Sequence, residues 1–380
     1  MRDVLRACGL GMLCAAGIAL SAALFGPATI FETYVAHSDF IGFYTSGTLA
    51  FTGNLYDVGA FMQAQGRATG RISDQLLFAR LPWQAVLFAP LTAMSFATAR
   101  IVWTGICLLA LGVFGACWPA IPVSARLLAV CWTIPVFMGF IIGQDVPVVL
   151  AALGLGFHCM ERGRPMAGGL CLAFCMAKPH LFWPLAAILV FHRMWRVCAG
   201  GAIGVAALGA LSFLSGGLEW PGRFTNLLRF VDTKAHLSVM PTLHSALLGV
   251  KYGGAIEGAI VLVLIALAGL TPDWKQGVAG ALVIGILAGR HAFLSDCAFL
   301  LAALFLCWPL ARRRTVLLLL LSPFVFVPAI LGHPAWPVLA MTVGALFLTW
   351  PGMSVCLIKY VRTYATENHG TAGREPAGAG

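Results

Sequence analysis

The sequence predicts an all-α polytopic membrane protein, and three observations carry that reading. The 380 residues are 60% hydrophobic and 10% charged, with a mean hydropathy of +0.90, whereas soluble domains average about 25% charged residues. The apolar stretches are continuous rather than alternating, which selects helices over a β-barrel. The basic residues gather in short clusters between apolar runs, at Glu161-Arg162-Gly163-Arg164, His192-Arg193-Met194-Trp195-Arg196 and Arg312-Arg313-Arg314. That is the pattern of cytoplasmic loops. It accounts for the net charge of +10 without nucleic acid, for which there is no basic–aromatic stripe.

Taken in order, Arg2 and Arg6 precede the apolar stretch Leu10–Phe25. More apolar runs follow and no small-x-small cleavage site leads into a soluble domain, so this stretch reads as an uncleaved first span with its N-terminus inside. Residues 32–97 then form a first periplasmic loop. Within it Ile41–Ala50 and Val58–Gln65 read as short helices, broken at Gly53-Asn54 and Gly66. The apolar run 83–97 sets the topology. If it crosses the membrane, all three basic clusters fall outside; if it lies along the outer interface, all three fall inside. Its length favours the second reading, since a span needs about 20 residues. Further spans are expected near 98–118, 125–142, 145–160, 165–177, 179–192, 197–215, 256–271, 275–290, 292–309, 313–330 and 335–352. The total is about 12 spans, within a range of 10–13. They form one domain over residues 1–360, with a second large periplasmic loop at 216–255, a disordered cytoplasmic tail at 361–380 and both termini inside.

This topology places polar residues from separate hairpins on one outer face: Gly143-Gln144-Asp145, Lys178-Pro179-His180, and Arg290-His291 with Asp296. Ionisable groups at membrane depth are expensive and commonly face a cavity. The twelve cysteines are scattered without a C-x-x-C pair, which implies small buried hydrophobes rather than disulfides or zinc ligands. His236 and His244, eight apart, do not have metal-ligand spacing. No metal and no cofactor are expected.

Each polar residue has two readings. Asp39 could be a general base taking a proton from an acceptor hydroxyl, or, with Ser38, the cap of the following helix. Lys178 could neutralise a phosphate or snorkel to the interface. Arg290, His291 and Asp296 could hold a phosphate or form an internal ion pair. Gln144 and Asp145 could bond to a sugar or make a plain turn. The 216–255 loop carries Arg223, Arg229, Lys234, His236 and His244, suited to anionic lipid. Neither a P-loop nor a D-x-D motif is present, so a sugar donor would be lipid-borne.

Asp39-Phe40 with Phe43-Tyr44, Gly53 and Leu55-Tyr56-Asp57 is similar to the "DF…YxxA…G…LYD" opening of glycosyltransferase family 87. Pro82, Pro90-Leu91, Ala99 and Trp103 resemble the segment that follows it. Gly143-Gln144, Ala167-Gly168-Gly169, Lys178-Pro179 and Trp195-Arg196 resemble its "GQ…AG…KP…W[KR]" block. Met240-Pro241-Thr242 with Ser245-Ala246-Leu247, and His291-Ala292-Phe293 with Asp296, resemble its last two stretches. Gly47, Trp83, Arg290 and Ser295 depart from the pattern. The resemblance implies a GT-C fold, an active site on the periplasmic face of a bacterial inner membrane, and inversion at the sugar. It also implies a polyprenyl-phosphate donor (mannose by default), a lipid or glycan acceptor, and Asp39 as the base. Lys178, Arg290 and His291 are then expected at the donor phosphate. Tyr44, Tyr56, Gln144, Asp145, His180, His244 and Asp296 are expected around the substrate. The alternative is a transporter or flippase, which would require broken helices at the midplane and repeat symmetry.

Overall fold

The computed structural model describes residues 38–349 apart from 71, 73–75, 233–236, 238–239 and 332, together with residues 16 and 17. The expected first span apart from residues 16 and 17, the C-terminal tail, Lys234 and His236 lie outside the described residues. Among those described there is no strand. The chain runs through α1 (Asp39–Leu49), α2 (Val58–Thr69), α3 (Pro82–Phe88), α4 (Phe96–Ala116), α5 (Val123–Trp132) and α6 (Ile134–Ile141). It continues through α7 (Val146–Glu161), α8 (Pro165–Leu172), α9 (Pro179–Phe191), α10 (Trp195–Gly216), α11 (Trp220–Asp232) and α12 (Leu243–Ala246). The last helices are α13 (Gly253–Gly269), α14 (Trp274–Ala288), α15 (Leu300–Leu306), α16 (Trp308–Ile330) and α17 (Trp336–Thr349).

Among the described residues, three helices are long and apolar enough to cross a membrane: α4, α10 and α16. The pair α5 and α6, bent by 57°, makes a fourth candidate if it counts as one span. Other apolar helices fall between 10 and 17 residues, so several of the expected spans exist as helices without reaching full span length. The bend between α5 and α6 lies at Thr133, where Pro135 opens the second helix; proline is favoured in the first turn of a helix, where no N–H is missed. The run 83–97 does not form a spanning helix. It becomes the seven-residue α3 and a 3-10 turn, Ala89–Ala93, and at 1.5 Å per residue α3 rises only about 10 Å.

Two helices define the ends of the molecule. Lys275, at the start of α14, pairs with Glu161, at the end of α7, at 2.5 Å. The opposite ends of the same two helices lead to Asp145 and to Asp296. Helices α7 and α14 therefore run antiparallel, and the polar residues expected on the outer face occupy the end away from the Glu161 loop, about 24 Å along α7. The core splits accordingly. A large apolar cluster surrounds α7, α9, α14 and α15, and a smaller aromatic one joins α1, α2, α3 and α4. In the second, Phe43 stacks on Phe88 at 4.7 Å and Phe88 meets Trp103 edge-on at 4.8 Å.

Helix α14 is buried over nearly its whole length and packs closely on α9. At their contact a Cβ on Gly285 would overlap the Leu181 carbonyl, so only glycine lets the start of α9 sit this close. Gly285→Val should lower stability by about 1–3 kcal/mol, the usual cost of overpacking. Thermal unfolding in detergent measures it, with Gly209→Val, whose Cβ would meet nothing within 4 Å, as the control expected to change little.

Candidate active site

At the polar end of the fold, five separated stretches of chain meet around Lys178. Pro179 at the first position of α9 ends the preceding 3-10 turn and leaves Lys178 pointing inward. The residue is 1% exposed. Its ammonium donates to Asp296 Oδ1 at 2.7 Å and to Gln144 Oε1 at 2.9 Å, and it lies 3.7 Å from Asp145 Oδ1. The alternative of a lysine snorkelling to the interface does not hold. The side chain is held by three oxygens inside the protein, because an ammonium so enclosed must be paired.

Gln144 passes this contact on. Its Nε2 donates to Asp39 Oδ2 while its Oε1 accepts from Lys178, and the two charged neighbours fix the amide orientation. A flipped amide would set oxygen against carboxylate and NH2 against ammonium. Gln144 is presented by a turn in which Gly143 has φ of +71°. A side chain there would be strained and would strike Arg100 and Phe40.

Asp145 and Asp296 complete the cluster, both nearly fully buried. Asp296 is the third residue of the 3-10 turn Leu294–Phe299, and its Oδ2 accepts the Phe293 N–H at 2.9 Å. Asp145 Oδ2 accepts from Gln84 Nε2 at 3.1 Å. Its Oδ1 has no hydrogen bond and lies between two cations, 3.7 Å from both Lys178 Nζ and Arg80 Nη2. Arg80 is pinned by Nη1 donating to the Ala177 carbonyl at 2.9 Å, and its own carbonyl accepts the Tyr56 hydroxyl at 2.7 Å. Three carboxylates thus face two cations.

Asp39 is the accessible member. It opens α1 in the first loop and is partly buried, whereas its neighbours from Phe40 to Gly47 are buried. Burial raises its carboxyl to about 6; Arg80 and Lys178 pull it down, and Asp145 and Asp296 push it further up. The capping expectation does not hold for it or for Ser38, since the cap residue makes no side-chain capping bond. Ser38 instead donates to the Ile142 carbonyl at 2.8 Å.

The remaining expected residues divide. Tyr44 donates its hydroxyl to the Met94 carbonyl at 2.8 Å and packs against Phe40 and Phe96, away from the ion cluster. His180 is exposed, bonds to the His291 main chain and feels the charges of Asp296 and Lys178. Arg290 is exposed and His291 partly so, which sets both at the rim. His244 pairs with Glu257 at 3.0 Å and is not bonded to the cluster. Sequence reading missed Arg80 and Gln84. Gln84 carried a signal, being a polar residue within a short apolar run; Arg80 directly precedes that run.

A family model, glycosyltransferase family 87, matches residues 81–309. The chain belongs to glycosyltransferase family 87. The family 87 match takes in Gln84, Gln144, Asp145, Lys178, His180, Arg290, His291 and Asp296, while Asp39 and Arg80 lie ahead of it. No curated protein matches the chain significantly, and no solved structure does. Membership, with the apolar helices, makes this a membrane glycosyltransferase.

The ion cluster predicts an asymmetric mutational response. Lys178→Met leaves two buried carboxylates without their shared cation and should cost about 3–5 kcal/mol. The double variant Lys178→Met/Asp296→Leu should unfold at a higher temperature than the single one, because one orphaned charge is removed with its partner.

Proposed function

We propose that this family 87 protein transfers a sugar, mannose by default, from a polyprenyl-phosphate donor to a hydroxyl of a lipid or glycan acceptor, with inversion. The reaction is placed on the periplasmic face of a bacterial inner membrane, under a GT-C arrangement of about 12 spans. One observation carries this reading. A partly accessible carboxylate, Asp39, is oriented by Gln144 and tuned to about 6 inside a fixed array of charges. A base of that strength is ionised at neutral pH yet can still accept a proton.

Asp39 takes the proton of the acceptor hydroxyl as the oxygen attacks C1 of the sugar. The C1–O bond to phosphate breaks, and the polyprenyl phosphate leaves with the electron pair. Arg290 and His291 at the rim receive the phosphate, backed by the field of Lys178, whose own donors are taken up by Gln144 and Asp296. Gln144, Asp145 and Asp296 fix the base and the cations, and His180 faces the substrate side. The absence of P-loop and D-x-D motifs from the sequence supports a lipid-borne donor over a nucleotide sugar.

Asp39→Asn should lower transfer about 10²–10⁴-fold without loss of folded protein. Radiolabelled sugar moving from polyprenyl-phosphate-mannose in membranes tests it; a well-folded Asp39→Asn protein with the wild-type rate would overturn the assignment. The pH profile gives a second check. The base works ionised, so kcat/KM should fall as pH drops through about 6, whereas an ordinary aspartate would hold the rate to about pH 4.

A further inference from the structure

We infer that Arg100 is a positioning residue: its guanidinium clips the segment carrying Asp39 to the turn carrying Gln144, and so holds the base against its partner. The inference rests on Asp39 and Gln144 working as proposed above, and it adds a residue that contacts neither of them directly.

Arg100 lies one turn into α4. Its Nη1 donates to Ser38 Oγ at 2.7 Å, and Ser38 in turn donates to the Ile142 carbonyl. Its Nη2 donates to the Ile141 carbonyl. The guanidinium carbon also sits 5.5 Å from the centre of the Phe40 ring. One planar fork thereby touches the residues on both sides of Asp39 and the end of α6, 62 and 41 positions away in sequence. Only arginine offers two donors in this fixed geometry.

The same face of α4 continues the pattern. Trp103 Nε1 donates to the Gly143 carbonyl at 2.9 Å, and Cys107 Sγ approaches the Gln144 carbonyl at 3.9 Å. With Ser38 on the Ile142 carbonyl, each of four successive carbonyls from Ile141 to Gln144 has a side-chain donor. The first belongs to the last residue of α6, which the helix end leaves without a helical partner, and the other three lie in the turn that follows. Positions 100, 103 and 107 fall on one helical stripe, so α4 acts as a template for the Gln144 turn. Arg100 alone extends that template to the Asp39 side.

Removing the clip should loosen both segments while leaving the Lys178–Asp296 pair in place. In purified Arg100→Met, kcat for sugar transfer should fall about 10–100-fold, the scale set by ångström-level misplacement, with the donor KM nearly unchanged. The acid limb of the pH profile should move upward, because Asp39 loses a hydrogen bond that favours its ionised form. Arg100→Lys should recover part of kcat, since it keeps the cation over Phe40 but can serve only one acceptor well. Hydrogen–deuterium exchange supplies a readout independent of activity. Peptides covering 38–43 and 141–146 should exchange faster in Arg100→Met, and those of α14 should not. Unchanged exchange in the two segments, or a kcat and acid limb equal to wild type, would overturn the clip. If wild-type protein transfers no sugar from the donor while the exchange pattern holds, the functional reading falls and the clip stands.

Discussion

An ammonium with almost no access to solvent needs oxygens around it, and the polar end of this fold is arranged to supply them. Lys178 draws Asp296, Asp145 and Gln144 to within 3.7 Å. The partners arrive on two parts of the chain: Asp296 on the 3-10 turn after α14, and the neighbours Gln144 and Asp145 at the turn into α7. Breaking any of these contacts exposes a charge to an apolar surrounding, which costs more than the pair gains by forming. The lysine therefore acts as a constraint on where four helix ends can sit. The Glu161–Lys275 pair closes the far end of two of the same helices, so α7 and α14 are tied by charge at both ends.

Around that constraint the site is built in layers. Gln144 links the buried cluster to Asp39, and the amide can take only one orientation because its neighbours have opposite charge. Arg80 and Gln84 hold Asp145 from the other side, and Tyr56 holds the Arg80 backbone. The aromatic block of Phe40, Phe43, Phe88 and Trp103 gives α1 a rigid footing. The accessible carboxylate is then the end of a supported chain of contacts, as preorganisation requires.

Much of this was legible in the sequence. The basic clusters and apolar runs gave an all-helical membrane protein, and family 87 motifs spread along the chain agree with the matched family. The convergence of Gln144, Lys178 and Asp296 was also legible, because each interrupts an apolar run where a polar residue is costly. The roles of these residues were less so. Whether Lys178 snorkels or is buried depends on the Pro179 start of α9 and on how closely α9 approaches α14 at Gly285, neither of which periodicity reports. Arg100 was invisible for a similar reason. It sits near the start of a long apolar helix, where an arginine reads as an interfacial anchor, and its partners are main-chain carbonyls that no motif can encode. Helix length alone does not reach the expected span count among the described residues, and the reason is physical. Short helices such as α8 and α15 are completed by 3-10 turns and neighbouring chain rather than by length.

The unequal charges of the cluster have a thermodynamic consequence. Asp39, Asp145 and Asp296 outnumber Arg80 and Lys178, so the group carries one excess negative charge when Asp39 is ionised. On the proposed reading, an incoming phosphate ester and the Asp39 proton are linked ligands. The phosphate raises the proton affinity of the base, and by reciprocity the proton tightens the hold on the phosphate. Lower pH then favours occupancy and higher pH favours turnover. Deprotonation of the base after each catalytic cycle also helps to expel the anionic lipid product, so the same imbalance that opposes donor entry assists product release.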